Sequence, residues 1–351
     1  MTGKGPLLIV GASGRAAAAA MFLEGFTPFV IDLFADADTQ RLARTLKCEL
    51  RDYPQGFIKL SETLPPMPWM YTGGLENYPD VVETISRRHK LLGNPPAVLN
   101  RVRDPYQLAA AIQQHRGQCP MSYPVHPGGN GKYIRKPYRS AGGHSISFKT
   151  ENSPDHYFQD YIEGTQVSAA FDGNHCILMT RQLIGEDWLH APSFHYCGNI
   201  SIPSDDALLS IYPFFNETQF ANALELRGSW GLDGIANSDG VWILEVNPRY
   251  CASHELQRHL FESLNDSIGK AIYYAPKPMI FPKLALWRNA LKSCTNMDQR
   301  PEYADIPETG TSFEPGQPVI TLFATAPRMD DCLLQLKARA AELDRLFGVT
   351  P

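Results

Sequence analysis

Apolar runs with the spacing of strands alternate with helical ones from Gly5 onward. "PLLIVG" predicts a strand, "GASGR" a tight turn, "AAAAAMFLEG" a helix ending at Gly25, and "TPFVIDLF" a second strand. That succession is a strand, helix, strand crossover, which joins parallel strands. "DTQRLARTLK" continues as a helix, "WMYTG" as a strand and the run around "YPDVVETISRRHK" as another helix. The first hundred residues therefore predict an α/β unit, a parallel sheet with helices on its faces.

The texture changes near Asn100. "DPYQLAAAIQQHR" predicts a short helix with an Asp-Pro start, and "CPMSYPVHPGGNGK" is too rich in Pro and Gly for regular structure. Strands are expected at "KYIRKPY", "HSISFKT" and "HYFQDYI", and "QVSAAFDGNHCILMTRQLI" reads as a hairpin turning at Asp-Gly-Asn. A helix is expected over "NETQFANALELRGSW", then the strand "WILEVNPRY", then a helix over "HELQRHLFESLNDSIGKAIYY". The proline-spaced "APKPMIFPK" leads to a tail of short strands and a closing amphipathic helix.

Composition narrows the function classes. At 351 residues the chain has room for two or three domains. Its 43% hydrophobic and 20% charged residues, with no apolar run near the roughly 20 needed to cross a bilayer, predict a cytosolic protein without membrane partners. A net charge of −5 without a basic cluster argues against nucleic acid as partner. The seven scattered cysteines match neither a disulfide framework nor a zinc spacing, and His254 and His259 miss the four-residue spacing of a helical zinc pair.

Four stretches carry candidate chemistry. In "GASGRAA" a glycine turn joins strand to helix while Asp32 ends the next strand, as in a dinucleotide site. Ala17 replaces the third glycine, and a tight turn needs glycine for steric reasons alone, so both readings stand. In "YIRKPYRSAGGHSI" Lys136 precedes the flexible Gly142-Gly143, a pairing that can hold polyphosphate but also suits a surface hairpin. "FQDYIEGTQVSAAF" is either a strand pair with a Glu-Gly turn or a hinge whose Ile162 packs a purine while Gln166 reaches a hydroxyl. The most specific stretch is "VWILEVNPRY". Alternate strand residues share a face, so Glu245, Asn247 and Arg249 point together, oxygen ligands suited to Mg²⁺ beside a guanidinium suited to a developing anion.

Taken in order, Lys136 with its glycine loop, "FQDYIEGTQVS" and "LEVNPR" resemble the ATP-grasp superfamily. "VGASGRAAA", "IDLFAD", "MYTGGLENYPD", "LLGN", "RDPYQL", "TRQLIG", "FHYCGNI" and "EVNPRYCASHEL" are similar to a subgroup found in bacteria with pterin- and furan-linked one-carbon metabolism. Archaeal tyramine–glutamate ligases look like more distant relatives. The resemblance implies an N-terminal pre-ATP-grasp α/β domain over 1–99, an ATP-grasp domain over 100–275 with its lid at about 122–160, and a small β-rich domain over 276–351.

It also implies an ATP- and Mg²⁺-dependent ligase that joins a small-molecule carboxylate to an amine through an acylphosphate, with a homodimer among the assemblies to consider. Lys136, Gly142 and Gly143 would meet the ATP phosphates, and Gln159, Asp160, Tyr161 and Ile162 would line the adenine hinge. Gln166 would take the ribose, Glu245 and Asn247 the Mg²⁺, and Arg249 the reacting phosphoryl or carboxylate. Arg181, Gln182, Tyr196 and Gly198 would face the acceptor pocket.

Two departures from the family pattern stand out. A further phosphate lysine of the family is missing, so its role passes to Arg101 or Arg103 or is lost. The second metal acid, expected near Ala236 or Asn237, is missing, which leaves Asp233 or Asp239 to supply it. Two rival readings remain: a nicotinamide-dependent oxidoreductase built on "GASGR" and Asp32, and a nucleotide-binding protein with a decayed site.

Overall fold

Along the first strand, Leu8 and Val10 enter one apolar core while Leu7 and Ile9 enter another. A strand buried on both faces needs helices on both sides, and that is the arrangement found. In the computed structural model, which describes residues 3–203, 217–257, 265–296 and 299–349, β1 (Gly5–Val10), β2 (Phe26–Asp32), β3 (Arg44–Lys47), β4 (Pro68–Tyr71) and β5 (Lys90–Leu91) form a parallel sheet in the order β3-β2-β1-β4-β5. The helices α1 (Arg15–Leu23), α2 (Ala37–Leu42), α3 (Gln55–Glu62) and α4 (Pro79–Ser86) connect its strands. The expected α/β unit is present, with one difference: the helix predicted over "DTQRLARTLK" stops at Leu42, and Arg44–Lys47 is a strand.

Next come α5 (Pro96–Arg103) and α6 (Pro105–Gln114). Asp104 caps α6, its Oδ1 accepting the Tyr106 and Gln107 amides at 2.9 and 3.1 Å. β6 (Ser122–Tyr123), β7 (Tyr133–Pro137) and β8 (His156–Asp160) form a separate antiparallel sheet. The strand expected at "HSISFKT" is absent apart from one bridge, Arg135 to Ser147.

A larger antiparallel sheet follows, built from β9 (Thr165–Asp172), β10 (His175–Ile184), β11 (Tyr196–Ser201), then after α7 (Glu217–Ala223) β12 (Ser229–Asn237), β13 (Gly240–Asn247) and β14 (Ser267–Tyr274). The helix expected over "NETQFANALELRGSW" ends at Ala223, and its last two residues open β12. The helix expected over "HELQRHLFESLNDSIGKAIYY" is corrected as well. A short 3₁₀ turn spans Ala252–Leu256 and Ser267–Tyr274 is β14, while positions 258–264 lie outside the described residues. Nearly every β14 residue is buried on both faces, so no alternation marks it as a strand.

The remaining elements are β15 (Met279–Ile280), α8 (Ala285–Ser293), β16 (Tyr303–Ala304), β17 (Ser312–Phe313), β18 (Pro318–Ala326) and α9 (Met329–Leu346). β15 pairs with β17, but β18 pairs along β14, so the large sheet runs β13-β12-β9-β10-β11-β14-β18-β16. The β-rich tail thus continues the central sheet.

Between the parallel sheet and the central sheet lies a buried ionic cluster. Arg15, 3% exposed, donates to both oxygens of Asp305 at 3.0 and 2.9 Å and to both oxygens of Glu255, and lies 3.8 Å from Asp38. Lys270 on β14 donates to Glu255 at 2.7 Å. One guanidinium therefore holds carboxylates from the N-terminal unit, the 3₁₀ turn and the tail. Removing one partner of such a cluster leaves buried charge uncompensated, so Arg15→Leu should lower unfolding free energy by about 3–5 kcal/mol in urea titration.

Candidate active site

The β12–β13 hairpin decides where the acids fall. Continued unbroken from Asn237 opposite Gly240, its pairing would set Leu232 against Glu245. A bulge shifts the register so that Gly234 opposes Ile243 while Asp233 opposes Glu245, leaving Leu244 as the extra residue. Ile243 and Val246, three residues apart, consequently enter the same core. Asp233, not Ala236, Asn237 or Asp239, therefore stands across from Glu245; Asp239 sits exposed at the hairpin turn.

Neutral side chains hold this pair in place. Asn247 Nδ2 donates to Asp233 Oδ2 at 2.7 Å and Gln182 Nε2 to Asp233 Oδ1 at 3.0 Å. Gln182, expected to face an acceptor, is thus engaged in orienting an acid. Asn247 Oδ1 accepts from Arg249 at 3.1 Å, and Arg249 Nε donates to Glu76 at 2.9 Å. Glu76 is buried, and its other oxygen has no hydrogen-bond partner. The sequence offered one signal for it, a carboxylate two residues after the glycine pair that follows β4.

Three cations face the acids. Lys136 on β7 is buried and donates to Gln159 at 3.2 Å, and Arg103 Nη1 lies 3.8 Å from Glu245. Arg103 Nη2 also donates to Asn77 Oδ1 at 3.1 Å and to the Ser140 carbonyl at 2.9 Å, joining the N-terminal unit to the loop after β7. Arg101 instead reaches the Leu224 carbonyl, away from the site. Burial and the Glu245 charge push Asp233 up to about 8. Burial also acts to raise Glu245, but Lys136 and Arg103 outweigh it and hold Glu245 below the usual carboxylate range.

The glycine loop lies over the entry to β11. Gly142 and Gly143 have φ of +63° and +80°, and a Cβ on Gly143 would sit 1.8 Å from the Phe194 carbonyl oxygen. The Gly142 carbonyl accepts the Tyr196 amide at 3.0 Å. At the hinge, Gln159 also donates to Ser122, Asp160 accepts the Met121 amide, and Tyr161 meets Phe148 edge-on with Lys132 over its ring. Ile162 follows in the loop to β9, and Gln166 lies on β9 opposite Ile235.

The four acceptor candidates lie on the paired strands β10 and β11. Arg181 lies on β10, and Tyr196 donates to Asn199, which continues through Thr180 to Ser168. Gly198 is a packing residue: a Cβ there would meet the Lys270 carbonyl oxygen at 2.2 Å. Asp32 is also committed. Its oxygens accept the Gly14, Phe34 and Ala35 amides at 3.0, 3.2 and 2.8 Å and the residue is fully buried, so it presents no surface to the ribose of a dinucleotide reading.

Residues 102–253 match the family model described as an ATP-grasp domain. The protein has an ATP-grasp fold. An uncharacterised protein of Methanocaldococcus jannaschii is 26% identical over 206 residues, which cover 54% of this chain and 50% of that protein. The match therefore spans about half the length of that curated relative.

Among solved structures, an L-amino acid ligase from Bacillus licheniformis superposes with a TM-score of 0.67 at 12% identity, covering 97% of this chain and 98% of that one. The ADP complex of an N5-carboxyaminoimidazole ribonucleotide synthetase gives 0.65 at 14% identity, over 99% and 100%. Arg103 Nε is buried without a partner beside Lys136 and Gln159, and Glu245 lies 3.8 Å from Arg103 with Asp233 opposite it, a donor set that could hold an anionic group and a divalent ion.

The raised Asp233 has a measurable consequence. The unfolded chain releases this proton near pH 4, whereas the folded protein keeps it to about 8. Across that window the unfolded state binds fewer protons, so stability falls as pH rises. Asp38, pushed up to about 6 by burial, acts in the same direction. Above about pH 6.5, where the opposite contribution of the lowered His254 is complete, thermal melts of the ligand-free protein should show a Tm declining to about pH 8, with a shallower decline in Asp233→Asn.

Proposed function

We propose that this protein is an ATP- and Mg²⁺-dependent ligase that joins a small-molecule carboxylate to an amine. The observation that carries the reading is the convergence of Lys136, Arg103 and Arg249 on Asp233 and Glu245 within an ATP-grasp fold. The solved neighbours named as a ligase and a synthetase support it. In this reading residues 1–99, 100–275 and 276–351 are its three structural units, and the one-carbon-carrier cofactor suggested by the sequence resemblance is the pathway context. The commitment of Asp32 to backbone amides weighs against an oxidoreductase, and Asp233 opposite Glu245 weighs against a decayed site.

The residues divide the work. Lys136 and Arg103 hold the nucleotide phosphates, and Gly142-Gly143 covers them. Asp233 and Glu245, steadied by Asn247, are the residues to hold Mg²⁺, which when bound would neutralise phosphate charge. A substrate carboxylate oxygen attacks the γ-phosphorus and ADP departs. The amine then attacks the acylphosphate carbonyl carbon, loses a proton, and phosphate leaves. Arg249, fixed by Glu76 and Asn247, steadies the negative charge that develops on the transferred group.

Incubation with ATP, Mg²⁺ and panels of amino acids and amines should release ADP and phosphate for a specific pair. No release above background for any pair would refute the ligase reading. Glu245→Gln should cut turnover roughly 100-fold or more while leaving the melting curve close to wild type. Arg249→Lys should be similarly damaging, because a point charge cannot replace a guanidinium that donates to Glu76 and Asn247 together.

A further inference from the structure

A second cavity, of about 500 Å³, opens between the N-terminal unit and the tail, and nothing in the site described above uses it. Its walls are largely apolar, including Leu33, Phe34, Ile272, Phe313 and Val319. The volume falls within the range of small-molecule sites. Lys47, Asp305 and Glu308 also line it, but one buried polar group among its lining residues makes no side-chain hydrogen bond.

That group is Asp36. The residue is 8% exposed and lines the cavity, yet its carboxylate accepts no hydrogen bond from any described residue. It occupies the N-cap position of α2, where an aspartate ordinarily accepts a helix amide, but its side chain makes no such bond. Local structure explains why it is turned away. Asp32 gathers the Phe34 and Ala35 amides and Ala35 takes a left-handed φ of +50°, while Ala37 donates its amide to the Ile306 carbonyl at 2.8 Å. Gln40 ties the Ala35 carbonyl to Glu308. The loop that carries Asp36 is therefore pinned to the tail on the far wall.

The surrounding charge is unbalanced in one direction. Asp32, Asp36, Asp38, Asp305, Glu255 and Glu308 are set against Arg15 and Lys270, both already paired, and against the exposed Lys47, which makes no ion pair with Asp36. Burial, then Asp305, Asp38 and Asp32, raise the Asp36 carboxyl well above its usual range, with Arg15 opposing. A buried carboxylate without a partner is costly unless a cation or donor reaches it. Among the described residues no group of three or more His, Cys, Asp or Glu is placed to hold a metal ion. The apolar walls instead suit a cation that carries a hydrocarbon body.

We infer that this cavity binds a small organic ammonium compound, its cationic nitrogen on Asp36 and its apolar body between Phe34, Ile272, Phe313 and Val319. The inference does not depend on the ligase reading. The Asp36 wall meets the central sheet at β14 and β18, several strands from Asp233 and Glu245 on β12 and β13.

Titration calorimetry with n-hexylammonium chloride tests it, with 1-hexanol as the neutral control. The wild-type protein should bind the ammonium, bind the alcohol far more weakly, and lose about 30-fold or more in ammonium affinity on Asp36→Asn. No heat with the ammonium at millimolar concentration, equal binding of the alcohol, or unchanged affinity in Asp36→Asn would overturn the assignment. Should Asp36→Asn fail to fold, chemical-shift mapping on the wild type decides. Perturbations confined to residues 33–47 and 305–321 support the site, and perturbations centred on Glu245 refute it. Absence of ligase turnover would leave each of these readouts intact, so the two readings can fail separately.

Discussion

Two carboxylates facing each other across a pair of strands repel, and the candidate site is organised around that repulsion. Asp233 and Glu245 can share one place only if one keeps its proton or if cations surround them. Both solutions are present: Asp233 is pushed up and Glu245 is held down by Lys136 and Arg103. The cations come from separate parts of the chain, Lys136 from the small antiparallel sheet, Arg103 from the end of α5 and Arg249 from the segment after β13. Electrostatics at the acids therefore makes the site the meeting point of the protein's units.

The legible parts of the sequence were those with a single dominant pattern. The crossover from β1 through α1 to β2 announced itself because strand, turn and helix signals agreed. The face shared by Glu245, Asn247 and Arg249 followed from strand alternation, and the structure brings the three together. What alternation could not supply was the residue opposite Glu245, because one extra residue at Leu244 moves the partner from Leu232 to Asp233. An extra residue at the end of the apolar run Val241 to Leu244 leaves no mark in the hydrophobic pattern.

Other misses have comparable causes. Arg101 and Arg103 were equivalent in sequence, but two positions along a helix point to different sides, so one reaches Leu224 and the other Glu245. Gly198 resembled a substrate residue by its setting in "FHYCGNI", whereas close approach of β14 is what excludes a side chain there. Asp32 looked like a ribose ligand until the three backbone amides it accepts were visible. In each case the deciding partner lies far away in sequence or in the backbone itself.

The pairing of β18 along nearly all of β14 also bears on how the chain avoids self-association. Until β18 docks, β14 is an open edge whose residues are almost all destined for burial, a template for pairing with another molecule. Short β16 then covers only part of β18, leaving a much poorer template at the rim. The tail is in this sense a built-in stopper, and folding intermediates that lack it are the species most exposed to aggregation.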